Sequence, residues 1–275
     1  MNSIMLISDL DHSFDEIALQ TKQKSHSYGR RLYTLTQGHK KYWLKFHVEQ
    51  QHNQVLEDSF NAELEFYRQN KIASSDFLVP YRVIELSKLN FLNETRQSRE
   101  GLFTLDTNDF FIKFNPENDL HEIRKQILLA LNALAALHQS GWIHGDLKSE
   151  HFRRYLDTCR LIDFEQSQRI ISPKKLLTAT PHYMAPELFH GQPKSVQSDL
   201  YAFGIILYEW LCQSRLSAKT YHDWAILHCQ QLQIKLPDSL QCFLPILDGL
   251  LKKKIDERFG SVTELRNAIR TINLL

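Results

Sequence analysis

The chain has few cysteines, and none is spaced to hold a metal or to staple a small fold. Cys159, Cys212, Cys229 and Cys242 are four in 275 residues, far apart and without a C-x-x-C pair. That pattern excludes a zinc ribbon and a disulfide framework, and fits reduced thiols in a cytoplasmic protein. Charge of one sign is lacking too: 33 basic residues meet 32 acidic ones, for a net charge of +1. No long-range field toward nucleic acid or a membrane follows from that balance. The basic clusters "KSHSYGRR", "SPKK" and "LLKKK" are read as solvated surface. The longest apolar run, "YAFGIILYEWLC", is too short to span a bilayer and carries Glu209. The first residues, "MNSIMLISDLDHSFDEI", lack a basic start and a long apolar run, so no signal peptide is expected. Repeats and low-complexity stretches are absent.

What is present can fold. Hydrophobic residues make up 43% and charged residues 24%, enough to bury a core. Over the first hundred residues, short strand-like runs alternate with turns. "RRLYTLTQG" and "KKYWLKFHV" meet at Gly38 and predict a hairpin. Val55, Phe60, Leu64 and Tyr67 then recur at roughly helical spacing. "FLVPYRVIEL" and "GLFTLDT" resemble two more strands, separated by the polar "SKLNFLNETRQSRE". From residue 118 the pattern turns helical: "DLHEIRKQILLALNALAALHQSG" starts at an acidic residue and stops at Gly141. "SDLYAFGIILYEWLC", "DWAILHCQQL", "LPILDGLLKKK" and "SVTELRNAIRTI" predict further helices. A sheet-rich first part and a helix-rich second part imply an α+β protein of two lobes, joined near "LDTNDFF".

Several short motifs stand in a definite order: "YWLKFH", "NAELEFYRQN", "HGDLKSEH", "LIDFEQ", "TATPHYMAPEL", "SDLYAFGIILYEWL" and "KIDERFGSVTEL". Together they resemble the eukaryotic-like protein kinases of bacterial type, over about residues 25 to 270. The resemblance implies a bilobal kinase-like fold, with an N-lobe over 1–107 and a helical C-lobe over 108–275. It implies that Lys45 reaches the α- and β-phosphates of ATP, held by Glu63. Glu65 is the rival partner, although two residues on it faces another side of the helix. A surface lysine on a strand edge is the alternative for Lys45. Asp146 matches the aspartate that orients the acceptor hydroxyl and takes its proton, and Lys148 the lysine that neutralises the transferred phosphoryl group. Asp163, followed by Phe164, matches the carboxylate that binds Mg²⁺ through oxygen. His144, Thr180, Glu187, Asp199 and Arg258 match residues that hold the fold. Of these, Thr180 bonds the catalytic loop, Glu187 pairs with Arg258, and Asp199 anchors the loop from below.

The sequence also departs from that pattern. In "KSHSYGRRLY", Lys24 and His26 take two positions of the phosphate-binding glycine loop, and only Gly29 remains. Lys24, Arg30 or Arg31 could supply charge there, though solvated basic residues are the commoner case. Glu165 stands where glycine is usual after Asp163-Phe164, which stiffens that turn. Gly145 replaces the arginine that grips a phosphorylated activation loop, so a phosphate on Ser172 or Thr178 would lack its main partner. His151 replaces an asparagine that offers oxygen to a second metal, and imidazole nitrogen suits Mn²⁺ better than Mg²⁺. A histidine there also resembles the loop of bacterial lipopolysaccharide core kinases. Hydrogen bonding within the loop, to Asp146 for instance, is the other reading of His151.

The expectation is an ATP-dependent phosphotransferase using Mg²⁺ or Mn²⁺, a Ser/Thr kinase acting on a protein substrate. The alternatives are a pseudokinase that only binds, and a kinase of lipopolysaccharide or another small molecule. The adenine-contacting residues are placed by position alone at Leu105 to Thr107.

Overall fold

A computed structural model describes residues 14–26, 29–48, 54–70, 77–89, 91–92, 99–114, 120–172 and 179–274. The chain divides into two compact units, Met1–Asn108 and Asp109–Leu275.

The first unit is built on an antiparallel sheet of five strands in the order β1-β2-β3-β5-β4. They are β1 (Glu16–Leu19), β2 (Arg30–Gln37), β3 (Lys40–His47), β4 (Tyr81–Glu85) and β5 (Glu100–Leu105). β2 and β3 form the hairpin that the sequence predicts, with Gln37 opposite Lys40 across a two-residue turn. Gly38 adopts a φ of 59°, a left-handed conformation that glycine enters without steric cost, and its amide donates to Asp15 Oδ2 at 2.7 Å. Alternation along β3 sorts its residues onto two faces. Tyr42, Leu44 and Phe46 are buried on one, where Tyr42 stacks with Phe103 and Phe46 with Tyr33. Lys45 and His47 share the other face, where His47 stacks on Phe60 of the long helix α2 (Gln54–Gln69). α2 buries Phe60, Glu63, Leu64, Phe66 and Tyr67, spaced as one helical stripe.

The β1–β2 connection differs from the glycine-loop alignment. It holds a single turn of helix, α1 (Gln23–His26), and Gly29 follows with a φ of 82°. The Arg31 guanidinium is buried and donates to the carbonyls of His26 and Arg30. A turn rich in polar residues thus closes on its own carbonyls through an arginine. The side chain of Lys24 lies outside the described residues.

The second unit centres on two helices, α3 (Leu120–Gln139) and α5 (Val196–Cys212). α3 turns one stripe inward, including Ile123, Ile127, Leu131 and Leu134. α5 is apolar nearly all round and lies inside the unit, with Leu200, Tyr201, Phe203, Ile205 and Leu207 buried. A capping box starts it: Ser195 Oγ accepts from the Ser198 amide, and Ser198 Oγ accepts from the Ser195 amide. Between these helices lies α4 (Pro186–Phe189), and after them come α6 (Tyr221–Ile226), α7 (Leu244–Leu250) and α8 (Val262–Arg270). α5 meets α7 so closely that a Cβ on Gly204 would fall 2.8 Å from Leu251 Cδ2.

Helical periodicity did not reveal two features. The stretch "DWAILHCQQL" is α-helical only to Ile226 and continues as one π turn over Leu227–Gln231. A hairpin, Phe152–Tyr155 with Thr158–Leu161, and a two-residue strand pair, Trp142–Ile143 with Gln168–Arg169, also lie within the helical part. These strands are two to four residues long, too short for alternation to register. Among the described residues, no helix is long and apolar enough to cross a membrane.

Candidate active site

In the first unit, Lys45 and Glu63 form an ion pair at 2.8 Å. β3 presents the lysine and α2 the glutamate, which is fully buried. Glu65 is half exposed and bonds Arg68 and Gln69 along its own helix instead. A buried carboxylate is tolerated only when paired, so the position of Glu63 fixes that of the lysine ammonium. At the end of β5, the amides of Leu105 and Asp106 are committed to the carbonyls of Pro80 and Lys41. The Asp106 carboxylate accepts from Trp43 Nε1 at 2.8 Å.

In the second unit, the loop 144–151 is suspended from α5 by one carboxylate. Asp199 Oδ2 accepts from the His144 amide at 2.8 Å, and Oδ1 from the Gly145 amide at 2.9 Å. His138, in the last turn of α3, adds Nε2 at 2.9 Å from Asp199 Oδ2. Burial raises the pKa of the Asp199 carboxyl, but hydrogen bonding and charge from His138 outweigh it and the net shift is downward. Sequence reasoning missed His138, although it lies four residues after Leu134 on the buried stripe of α3.

Asp146 is held at both oxygens. Oδ1 accepts from the Thr180 amide at 2.8 Å, and Oδ2 lies 2.9 Å from Lys148 Nζ. It is therefore the backbone of Thr180 that meets the loop at this atom. Burial pulls the Lys148 pKa down, but Asp146 more than compensates, and the net shift is upward, so the lysine keeps its charge. An aspartate and a cation are thus fixed side by side, as needed to orient a hydroxyl and to neutralise a phosphoryl group.

His144 Nε2 donates to the Ile162 carbonyl at 3.1 Å, and its ring stacks on His151 and lies tilted against Phe164. Complete burial, then the neighbouring His151, lower its pKa to about 4, so it is neutral. Asp163 adopts a φ of 66°, rare for a non-glycine residue. Its Oδ2 lies 3.3 Å from His151 Nε2, so His151 faces Asp163 rather than Asp146. Phe164 is fully buried, which anchors the turn while the Asp163 carboxylate stays part-exposed.

The donor chemistry fits a divalent cation. Asp163 offers hard carboxylate oxygen, and His151 sets an imidazole beside it. The other His151 nitrogen, Nδ1, is buried without a hydrogen-bond partner among the described residues. Lys45, in the other unit, holds an ammonium fixed against Glu63.

Lower in the second unit, Glu187 and Arg258 make a bidentate ion pair across 71 residues, with bonds of 2.8 and 2.6 Å. Arg258 also donates Nε to the Lys252 carbonyl and lies over the Tyr201 ring. Ser172 is in a bend whose amide donates to the Arg169 carbonyl, while Thr178 lies outside the described residues.

Residues 27–268 match the model of the protein kinase domain family. The serine/threonine-protein kinase mos of Patiria pectinifera is 32% identical over 127 residues, covering 42% of this chain and 36% of that protein. Serine/threonine-protein kinase Sgk1-B of Xenopus laevis is 34% identical over 152 residues, covering 50% and 34%. Serine/threonine-protein kinase Nek11 of Homo sapiens is 33% identical over 109 residues, covering 38% and 16%. The chain spans about a third or less of the length of these curated relatives. A solved structure, the Cydia pomonella granulovirus kinase PK-1, superposes with a TM-score of 0.62 over 91% of each chain, at 18% identity. That likeness establishes the fold.

Proposed function

Since this chain belongs to the protein kinase domain family, we propose that it is an ATP-dependent Ser/Thr protein kinase domain that moves the γ-phosphoryl group to a protein hydroxyl. The observation that carries the reading is Asp146, fixed between the Thr180 amide and the Lys148 ammonium. The acceptor hydroxyl would donate to this carboxylate, which takes its proton as the new P–O bond forms and the bond from the γ-phosphorus to the bridging oxygen breaks, releasing ADP. Lys148 offsets charge on the phosphoryl oxygens, and Lys45, set by Glu63, binds the other phosphates. Asp163 and His151 would hold a divalent cation, which would supply positive charge against the phosphate oxygens. The nitrogen donor favours Mn²⁺ over Mg²⁺ at the site it reaches.

A non-catalytic reading draws on one observation, the helical turn α1 and the buried Arg31 where the family has a glycine loop. The two readings separate by experiment. Incubation with γ-labelled ATP, Mg²⁺ or Mn²⁺ and an arrayed Ser/Thr/Tyr peptide library should give phosphoserine or phosphothreonine on acid hydrolysis. Label on tyrosine alone, or on a saccharide acceptor and no peptide, would replace the proposed acceptor class. ATP binding without transfer to any acceptor would leave the non-catalytic reading.

A further inference from the structure

Gly145 has a φ of 76°, and there is no room beside it for a side chain of its own. A Cβ there would lie 2.5 Å from the Gln166 carbonyl oxygen, 2.9 Å from Lys194 Cδ and 3.2 Å from Lys194 Nζ. The space is filled from elsewhere in the unit. Lys194 immediately precedes Ser195, the cap of α5, and is only 5% exposed. Its ammonium lies 3.5 Å from Gln166 Oε1. Asp146 from the loop and Asp199 from the first turn of α5 are anions that face it. One cation therefore lies among three segments: the loop that carries Asp146, the turn after Asp163, and the start of the helix whose Asp199 suspends the loop.

Burying an ammonium is costly, and a lysine stem alone would be replaceable by an apolar side chain of like volume. We propose that Lys194 is a positioning residue for phosphoryl transfer, its ammonium threaded beside Gly145 to lock the Asp146 loop against the turn that follows Asp163. The inference rests on the phosphotransferase reading above. It supplies what the glycine at 145 omits: a cation built into the fold, so that the activation segment needs no phosphate to set the loop. Burial lowers the Lys194 pKa to about 8, against the pull of Asp146 and Asp199. The lock is therefore charged at neutral pH and released above about pH 8. Stability runs the other way: the unfolded lysine keeps its proton up to about 10.5, so this group's contribution rises with pH through that window. Activity and stability should thus move in opposite directions.

The test uses the full chain and the variant Lys194→Met, which keeps the length and removes the charge. Hydrogen exchange by mass spectrometry should quicken on the order of tenfold in peptides over 143–148, and stay unchanged over α8. Turnover should fall about tenfold in kcat, with the KM for ATP near the wild-type value, because Asp146 rather than the nucleotide is displaced. The descending limb near pH 8 in the wild-type rate profile should vanish in the variant. Unaltered exchange over 143–148 in the folded variant, or a persisting alkaline limb, overturns the proposal. If Lys194→Met does not fold, wild-type exchange decides, corrected for the intrinsic pH dependence of amide rates. Faster loop exchange above pH 8 supports the lock, and an unchanged rate overturns it. A wild type that never turns over ATP sinks the phosphotransferase reading, while the exchange result still decides the role of Lys194.

Discussion

The stretch from Thr180 to Asp199, together with Arg258, carries the residues that resemble the kinase pattern most fully: Thr180, Glu187, Asp199 and Arg258. The turn between β1 and β2 keeps one glycine. The difference follows from what each region must satisfy. Glu187 is buried, and only a bidentate cation with Arg258 geometry leaves neither of its oxygens stranded. Asp199 accepts two backbone amides and an imidazole at fixed distances. Few other side chains could do either. A turn at a sheet end has more solutions, and here a helical turn and an arginine bonded to local carbonyls replace the glycines. The lesson is that an unfamiliar turn says less about activity than an intact buried anchor does.

Replacing Asp146 by Ala should lower kcat by about 10³-fold, with folding intact, as removal of a positioned base does. Arg258→Ala should destabilise the protein by about 3–5 kcal/mol in urea, because the Glu187 carboxylate is left buried and alone. Equal stability of that variant and wild type would refute the anchor's role.

Acid should act next. His144 and His228 are buried and neutral, each with its pKa lowered to about 4 from 6.5 mainly by burial. The unfolded chain binds these protons first, so stability falls as pH drops from 6.5 toward 4. The loss should reach roughly 3 kcal/mol per histidine. Denaturation curves across that range should show it, and His228→Gln should flatten the slope. The smallest effect is expected at the departure itself. His151→Asn should raise relative Mg²⁺ activity and lower the Mn²⁺/Mg²⁺ rate ratio about threefold to tenfold. A ratio unchanged in an active variant would leave His151 as a hydrogen-bonding partner of Asp163 alone.

Much of this was legible in the chain. The β2–β3 hairpin is written in alternation around Gly38, and α3 in a stripe that ends at Gly141. Glu63 rather than Glu65 could be read as the Lys45 partner from the resemblance of "AELEFY" to the family's helix, and Glu63 is the one of the two that α2 buries. What stayed hidden depends on contacts that sequence spacing does not encode. The π turn after Ile226 changes the hydrogen-bond step by one residue without altering the apolar pattern. Lys194 sits in "GQPKS" as an ordinary polar loop residue, and its buried place requires that Gly145 carry no side chain. The contact of His151 with Asp163 rather than Asp146 accompanies a φ of 66° at Asp163, a backbone state that aspartate seldom adopts.

On the proposed function, the buried anchor holds a working Asp146 whatever the β1–β2 turn has become. Single-turnover transfer from γ-labelled ATP, followed by rapid quench with Mg²⁺ and with Mn²⁺, tests it most directly. The account predicts transfer to Ser/Thr acceptors with both metals, faster with Mn²⁺, and about 10³-fold slower in Asp146→Ala at unchanged ATP affinity. A folded wild type that binds ATP yet transfers no faster than Asp146→Ala, with either metal and across the acceptor library, would contradict it.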